Sequence, residues 1–138
     1  MPEISWDGDE NTLYTVAFVD PDAPSRKEPK FREWLHYLVF NVKGCDLSSG
    51  EEQAAYIGSG PPQGTGLHRY VWIVYKQKEK IKVEEKKLIF SGEGRGGFNI
   101  EKWRKKYGLS DPIALNYYQA QFDSYVPTLY KKLSENKL

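Results

Sequence analysis

Leu13-Tyr14-Thr15-Val16-Ala17-Phe18-Val19 runs straight into Asp20-Pro21-Asp22-Ala23-Pro24-Ser25-Arg26, and that junction decides how the chain is read. The first seven residues are almost continuously apolar and rich in β-formers, the pattern of a strand buried on both faces. The next seven cannot continue it. Pro21 and Pro24 each hold φ near about −65° and push Asp20 and Ala23 out of the helical region. Two carboxylates and a guanidinium thus sit on a path set by the chain itself. The plainest reading is a strand end, with Asp20 and Asp22 folded onto their own backbone amides as Asx-turns. Two further unusual stretches argue for more: Trp34-Leu35-His36, and Gly58 to Tyr70, which reads GSGPPQGTGLHRY. A single pocket could use all three.

Outward from the junction, Lys27 to Arg32 is charged and carries Pro29, a surface excursion. Trp34 to Val42 reads as the second strand. A period of two puts Trp34, His36, Leu38 and Phe40 on one face, and Leu35, Tyr37 and Val39 on the other. Gly44 to Gly50 is a turn cluster, and Glu51 to Tyr56 reads as a short helical turn. The glycines of the Gly58–Gly66 stretch let backbone approach a ligand, while Pro61-Pro62 stiffens its middle. His68 to Gln77 is the clearest strand, with His68, Tyr70, Trp72 and Val74 alternating against Arg69, Val71, Ile73 and Tyr75. Lys76 to Lys87 reads as a solvated hairpin arm or edge protected by its lysines. Gly92 to Gly97 formally matches G-x-G-x-x-G. The helix after it, Ile100 to Tyr107, is only two turns long and stops at Gly108, so the stretch reads as a flexible loop rather than a dinucleotide site. Leu115 to Phe122 gives a further strand. A closing helix follows, capped by Asp123 or Ser124, with Pro127 in its first turn and Val126, Leu129, Tyr130 and Leu133 as its packed stripe.

At 138 residues the chain is most simply one domain, 1–138. Twenty Lys and Arg against 19 Asp and Glu leave a net charge of +1, so no global field draws it to nucleic acid or an anionic membrane. Cys45 is the only cysteine, which excludes an intrachain disulfide and a thiolate metal site; it reads as a small half-buried hydrophobe. The sequence shows no leader pattern and no membrane-spanning run, and a soluble, cytosolic protein is expected. Ten Tyr and 4 Trp favour β-structure and leave aromatic surface for a ligand.

The residues that carry chemistry are Asp20, Asp22, His36, His68 and Tyr70, with backbone from Gly58 and Gly60. As a metal site the set lacks any close pair such as H-x-x-x-H. As a hydrolase it would need Ser59 as nucleophile and His68 as base, but Ser59 lies outside any G-x-S-x-G and no oxyanion hole is suggested. An anion pocket fits more naturally: glycine N–H groups, imidazole and phenol are donors for phosphate oxygens, and the carboxylates can orient a histidine or meet an ammonium group. If the two strand faces meet beside the Asp20–Arg26 turn, both imidazoles are expected to donate to one phosphate.

In order along the chain, DPDAPSR, Arg32-Glu33-Trp34 with His36, GSGPP, Gly66-Leu67-His68-Arg69-Tyr70, Arg104-Lys105-Lys106-Tyr107, Tyr117-Tyr118-Gln119-Ala120 and Tyr125-Val126-Pro127 resemble the phosphatidylethanolamine-binding family, of the animal Raf kinase inhibitor type. The resemblance covers nearly the whole chain from Ile4 onward. It implies a mainly β, antiparallel Greek-key fold with a few short helices, and a cis Ala23-Pro24 bond. It also implies a small cavity for phosphate or phosphoethanolamine groups, lined by Asp20, Asp22, Ala23, Pro24, Trp34, His36, Gly58, Gly60, Pro61, His68 and Tyr70, with Tyr130 and Leu133 at its mouth. Phe31 stands where many animal members have tyrosine, and Leu35 replaces a second histidine. The function implied is non-catalytic binding of phospholipid headgroups or phosphorylated ligands with modulation of Raf-type protein kinases, without metal or cofactor. The alternatives are a hydrolase using His36 or His68 with Asp20 or Asp22, or a protease-inhibitor or adaptor module. Family members carry a substantial segment before the position of Ile4. This chain therefore reads as N-terminally short, with Ile4 and Trp6 expected beside a gap or unpaired edge that invites self-association.

Overall fold

The computed structural model describes residues 1–135. Five strands, β1 (Leu13–Asp20), β2 (Trp34–Lys43), β3 (Glu51–Ala54), β4 (His68–Gln77) and β5 (Pro112–Ala120), form one antiparallel sheet in the order β3-β2-β1-β4-β5. Strands β1 to β3 are successive neighbours and β4 returns beside β1, which is the Greek-key arrangement. Two short helices, α1 (Ile100–Lys106) and α2 (Val126–Ser134), accompany the sheet.

Strand β1 is apolar except for Thr15 and its last residue, Asp20, because it is central and covered on both faces. Ala17 and Val19 join Leu35, Leu38, Phe40, Ile73, Tyr75 and the α1 residues Ile100 and Trp103 in one core. Tyr14, Val16 and Phe18 join Tyr37, Val39, Val42, Tyr70, Trp72 and Val74 in the other. The alternation read from β4 holds: Tyr70, Trp72 and Val74 face one core, Ile73 and Tyr75 the other. Helix α1 starts where the Asn99 side chain accepts the Lys102 N–H and stops before Gly108, whose φ of +66° is a left-handed stop suited to glycine.

The alternation read from β2 fails, for a reason internal to the strand. Phe18 pairs with Tyr37 and Val19 with Leu35, so His36 is the extra residue of a β-bulge. Trp34 and His36 lie on the Phe18 side, as their ring contacts show. Leu38 and Phe40 fall on the opposite face with Leu35, not with His36 as uninterrupted counting predicts. A second irregularity, at Asn41 with φ +56°, lies between the Tyr14 and Val16 pairings. Asn41 exchanges hydrogen bonds with Gln77, which also accepts from Thr15.

Other expectations are corrected. Glu51 to Ala54 is strand β3, because Glu51, Glu52 and Ala54 pair with β2 rather than closing a helical turn. Lys76 to Lys87 is not a hairpin arm or sheet edge: beyond Gln77 it has no strand, and the side-chain amides of Gln77, Asn41 and Gln53 hold it through the backbone of Glu79, Ile81, Glu85 and Lys86. Strand β5 begins at Pro112 and ends at Ala120, three residues earlier at its start than read from alternation. The first turn of α2 is preceded by Asp123, whose side chain accepts the Tyr125 N–H; Tyr125 occupies the cap position. Cys45 is exposed, not half-buried.

The sheet ends on one side in β5, a strand without a charged residue and with Leu115 and Tyr117 well exposed. Ile4 and Trp6 pack against the Tyr14 core. With β5 they border a groove that also touches Trp72 and Val74. No helix among the described residues is long and apolar enough to cross a membrane.

Candidate functional site

At the end of the sheet where β1 stops and β2 and β4 begin, a cavity of about 210 Å³ opens. Asp20 reaches it from the end of β1. Ala23 and Pro24 come from the turn that the prolines set, and the Ala23-Pro24 bond is cis. The bulge brings Trp34 and His36 to the same side as Tyr70, 5.3 Å between the His36 and Tyr70 rings. Gly58 and Gly60 form a wall in the loop after β3, and Tyr130 and Leu133 of α2 close the rim. Tyr130 donates from its hydroxyl to the Gly60 carbonyl at 2.6 Å, tying the helix to that loop. A methyl at Gly60 would stand 2.8 Å from Leu129, so glycine is what lets α2 approach.

Two residues expected in the lining are elsewhere. Asp22 is fully buried behind the cavity, where it accepts from the Arg69 guanidinium at 2.8 and 2.9 Å and from the Arg69 N–H at 2.8 Å. Arg32 approaches it at 3.5 Å. Burial works to raise the Asp22 carboxyl, but the Arg69 bonds overcome it and hold it below its ordinary value. Pro61 lines a neighbouring depression with Ser59, and Pro62 takes its place in the cavity. Ser59 accepts from the Tyr118 hydroxyl at 3.2 Å and has no histidine partner. Phe31, Ile57, Pro62 and Leu129 complete the lining. In the sequence Pro62 reads as a stiffener and Leu129 as a packed helix residue, and nothing marks Ile57.

The two histidines play different parts. His36 directs Nδ1 to the Ile57 carbonyl at 2.9 Å, so Nδ1 carries the proton and Nε2 is left as an acceptor. Burial pushes its pKa down to about 3, and the nearby Arg95 charge adds to this. The ring is therefore neutral at ordinary pH.

His68 has both nitrogens engaged within the protein. Nδ1 lies 2.7 Å from Asp20 Oδ2. Nε2 lies 2.8 Å from Thr65 Oγ1, whose own hydrogen goes to the Pro62 carbonyl, so Nε2 is the donor. Burial raises the Asp20 carboxyl while the His68 bond opposes it, and the other Asp20 oxygen accepts the Asp22 N–H as an Asx-turn. The expectation that both imidazoles donate to one phosphate is thus overturned: one offers a lone pair and the other is already spent. Tyr70, pushed up by burial, keeps its phenol proton. Among the described residues no group of three or more His, Cys, Asp or Glu is placed to hold a metal ion.

The Gly92–Gly97 loop holds a residue that the sequence did not single out. Gly94 and Gly97, at φ +77° and +72°, turn the backbone so that Arg95 pairs with Leu35 and its side chain enters the protein, fully buried. Its guanidinium donates to the carbonyls of Ser91, Ile89, Leu35 and His36 at 2.6 to 3.2 Å, the last two being the bulge itself. The only hint was an arginine among glycines.

A family model described as phosphatidylethanolamine-binding protein matches residues 1–118. A Drosophila melanogaster protein named "Putative odorant-binding protein A5" is 41% identical over 134 residues, which are 96% of this chain and 64% of that protein. The chain thus spans just under two thirds of that relative's length. The solution structure of CG7054 is 45% identical with a TM-score of 0.80, over 96% of this chain and 76% of that one. The phosphatidylethanolamine-binding protein of Plasmodium vivax is 25% identical with a TM-score of 0.66, over 86% of this chain and 69% of that one. With the Greek-key sheet and the cavity at its end, these likenesses show that the chain belongs to the phosphatidylethanolamine-binding protein family.

Proposed function

We propose that the cavity binds a small phosphate-bearing group of the phosphoethanolamine type without transforming it, and that its occupancy modulates a Raf-type protein kinase from the cytosol. The observation that carries this reading is the cavity itself. Its wall is largely aromatic and aliphatic, with few polar groups, and its 210 Å³ falls below the roughly 300–1,000 Å³ of drug-sized sites. That volume suits a headgroup with its acyl chains left outside. The His36 lone pair suits a ligand that brings a hydrogen-bond donor, such as an ammonium group or a singly protonated phosphate. The name of the Drosophila relative, an odorant-binding protein, points to small organic ligands, which the apolar wall also favours.

The test is a titration with O-phosphorylethanolamine followed by backbone amide shifts. Saturable shifts at Gly58, Gly60, His68 and Tyr70 are expected. Shifts confined to the basic face of α1 (Lys102, Lys105) that vanish with salt would sink the reading and leave only surface attraction. The kinase arm is an inhibition assay with a Raf-type kinase domain, with and without the same ligand; inhibition indifferent to ligand would separate the two halves.

A further inference from the structure

Arg95 is fully buried, yet among the described residues no carboxylate lies within ion-pair reach of it. Its four partners are all backbone carbonyls, which are dipoles and not charges. The buried carboxylates at this end of the sheet each have a partner of their own. Asp20 and His68 are hydrogen-bonded to each other at 2.7 Å. Asp22 is paired with Arg69 at 2.8 Å, and the half-exposed Arg32 approaches it at 3.5 Å. A buried unit charge without a counter-ion is costly, and a mobile anion nearby relieves that cost.

The geometry places such an anion within reach. The guanidinium carbon lies 5.8 Å from the centre of the Trp34 ring, and the Trp34 ring is itself a wall of the cavity, 4.6 Å from the His36 ring. We infer that Arg95 is the specificity-determining charge of the cavity: it selects anionic ligands from behind Trp34 without touching them, while the bulge it grips positions His36. This rests on the proposed phosphate-binding role of the same cavity and assigns its charge preference to one residue. The groups facing the cavity are Asp20 on β1, His36 on β2, His68 and Tyr70 on β4, and Tyr130 on α2, with Glu33 beside Trp34 and the exposed Glu93 on the loop of Arg95 itself. None of them supplies a second unbalanced positive charge. Burial lowers the Arg95 pKa only to about 10, so the charge persists through neutral pH.

The test uses two small probes of one shape, methanesulfonate, a permanent anion, and dimethyl sulfone, which is neutral. Their affinities are read from cavity amide shifts in the unaltered chain, in Arg95→Lys and in Arg95→Met. The unaltered chain and Arg95→Lys should prefer the anion. Arg95→Met should lose about tenfold in methanesulfonate affinity, the effect of a unit charge about one indole beyond the wall at an effective dielectric of about 20, with dimethyl sulfone unchanged. Equal losses for both probes would mean that Arg95 only holds the bulge, and would overturn the inference. Should Arg95→Met fail to fold, the unaltered chain still decides. Methanesulfonate affinity should stay level from about pH 6 to 8.5, since arginine does not titrate there. A steady fall across that range would assign the selecting charge to an imidazolium and refute Arg95. Binding of O-phosphorylethanolamine with no preference between the two probes would overturn this inference alone; no binding of any of the three would overturn the proposed function as well.

Discussion

Acid should destabilise this protein through His36, and the size of the effect follows from one ring. The folded chain holds His36 as a neutral donor to Ile57, with its pKa pushed from 6.5 to about 3, while the unfolded chain protonates it normally. Between those values the unfolded state binds the extra proton, so stability is full above about pH 6.5 and is lost as pH falls toward 3. The loss is about 1.4 kcal/mol per pH unit inside the window. Between pH 7 and 4.5 it amounts to about 2.5 kcal/mol, a large share of an ordinary stability of about 5–15 kcal/mol. Other groups titrate too: burial raises Asp20 and Glu33, which work in the opposite sense, and the Arg69 bonds lower Asp22. The comparison with His36→Asn cancels them to first order. Asn keeps a polar side chain near Ile57 and removes the titration. Denaturant unfolding followed by tryptophan fluorescence at pH 7, 6, 5 and 4.5 should show the variant less stable at pH 7 and its disadvantage shrinking, or reversing, by pH 4.5. Parallel curves, with a difference that changes by less than about 0.5 kcal/mol, would refute the neutral-histidine assignment.

Two further outcomes test the frame around the cavity. Gly60→Ala puts a methyl 2.8 Å from Leu129, and because the clash is with the end of a flexible side chain it should cost only about 1 kcal/mol. If α2 closes the cavity, O-phosphorylethanolamine should leave this variant several-fold faster in stopped-flow displacement; an unchanged rate would remove α2 from the site. On the outer edge, Leu115→Lys adds a charge to the exposed β5 and should reduce any concentration-dependent association seen by sedimentation, whereas identical profiles for both chains would count against edge pairing.

Much of the scaffold could be read in advance because its signals are local. The double burial of β1, the alternation of His68 to Val74 and the proline-set turn each depend on a few adjacent residues. The cavity members contributed by those pieces, Asp20, His68 and Tyr70, were legible for the same reason, while Pro24 was reached only through the family resemblance. What escaped depends on partners distant in the chain. The bulge at His36 exists only against Phe18 and Val19, so no count along β2 alone could reveal it. Asp22 looked like a lining carboxylate until Arg69, 47 positions later, claimed both of its oxygens. Arg95 sat in a stretch whose glycines suggest freedom, yet those glycines serve to turn a cation inward. Pro61 and Pro62 differ only in which way the loop presents them, and β3 was misread because four residues carry too little periodicity to separate strand from helical turn.

The extra residue at His36 also gives β2 a parity. From Tyr37 to Val39 each side chain owes its core to the number of residues that separate it from the bulge, and a change of one would exchange the two cores along that run. Trp34 and His36 share a side with Tyr70 only because that count is odd where an ideal strand would make it even. Length can therefore vary within β2 only by steps that preserve the count. A descendant that lost the bulge would lose the meeting of Trp34 with Tyr70 in the same event, so cavity and core are inherited together or not at all.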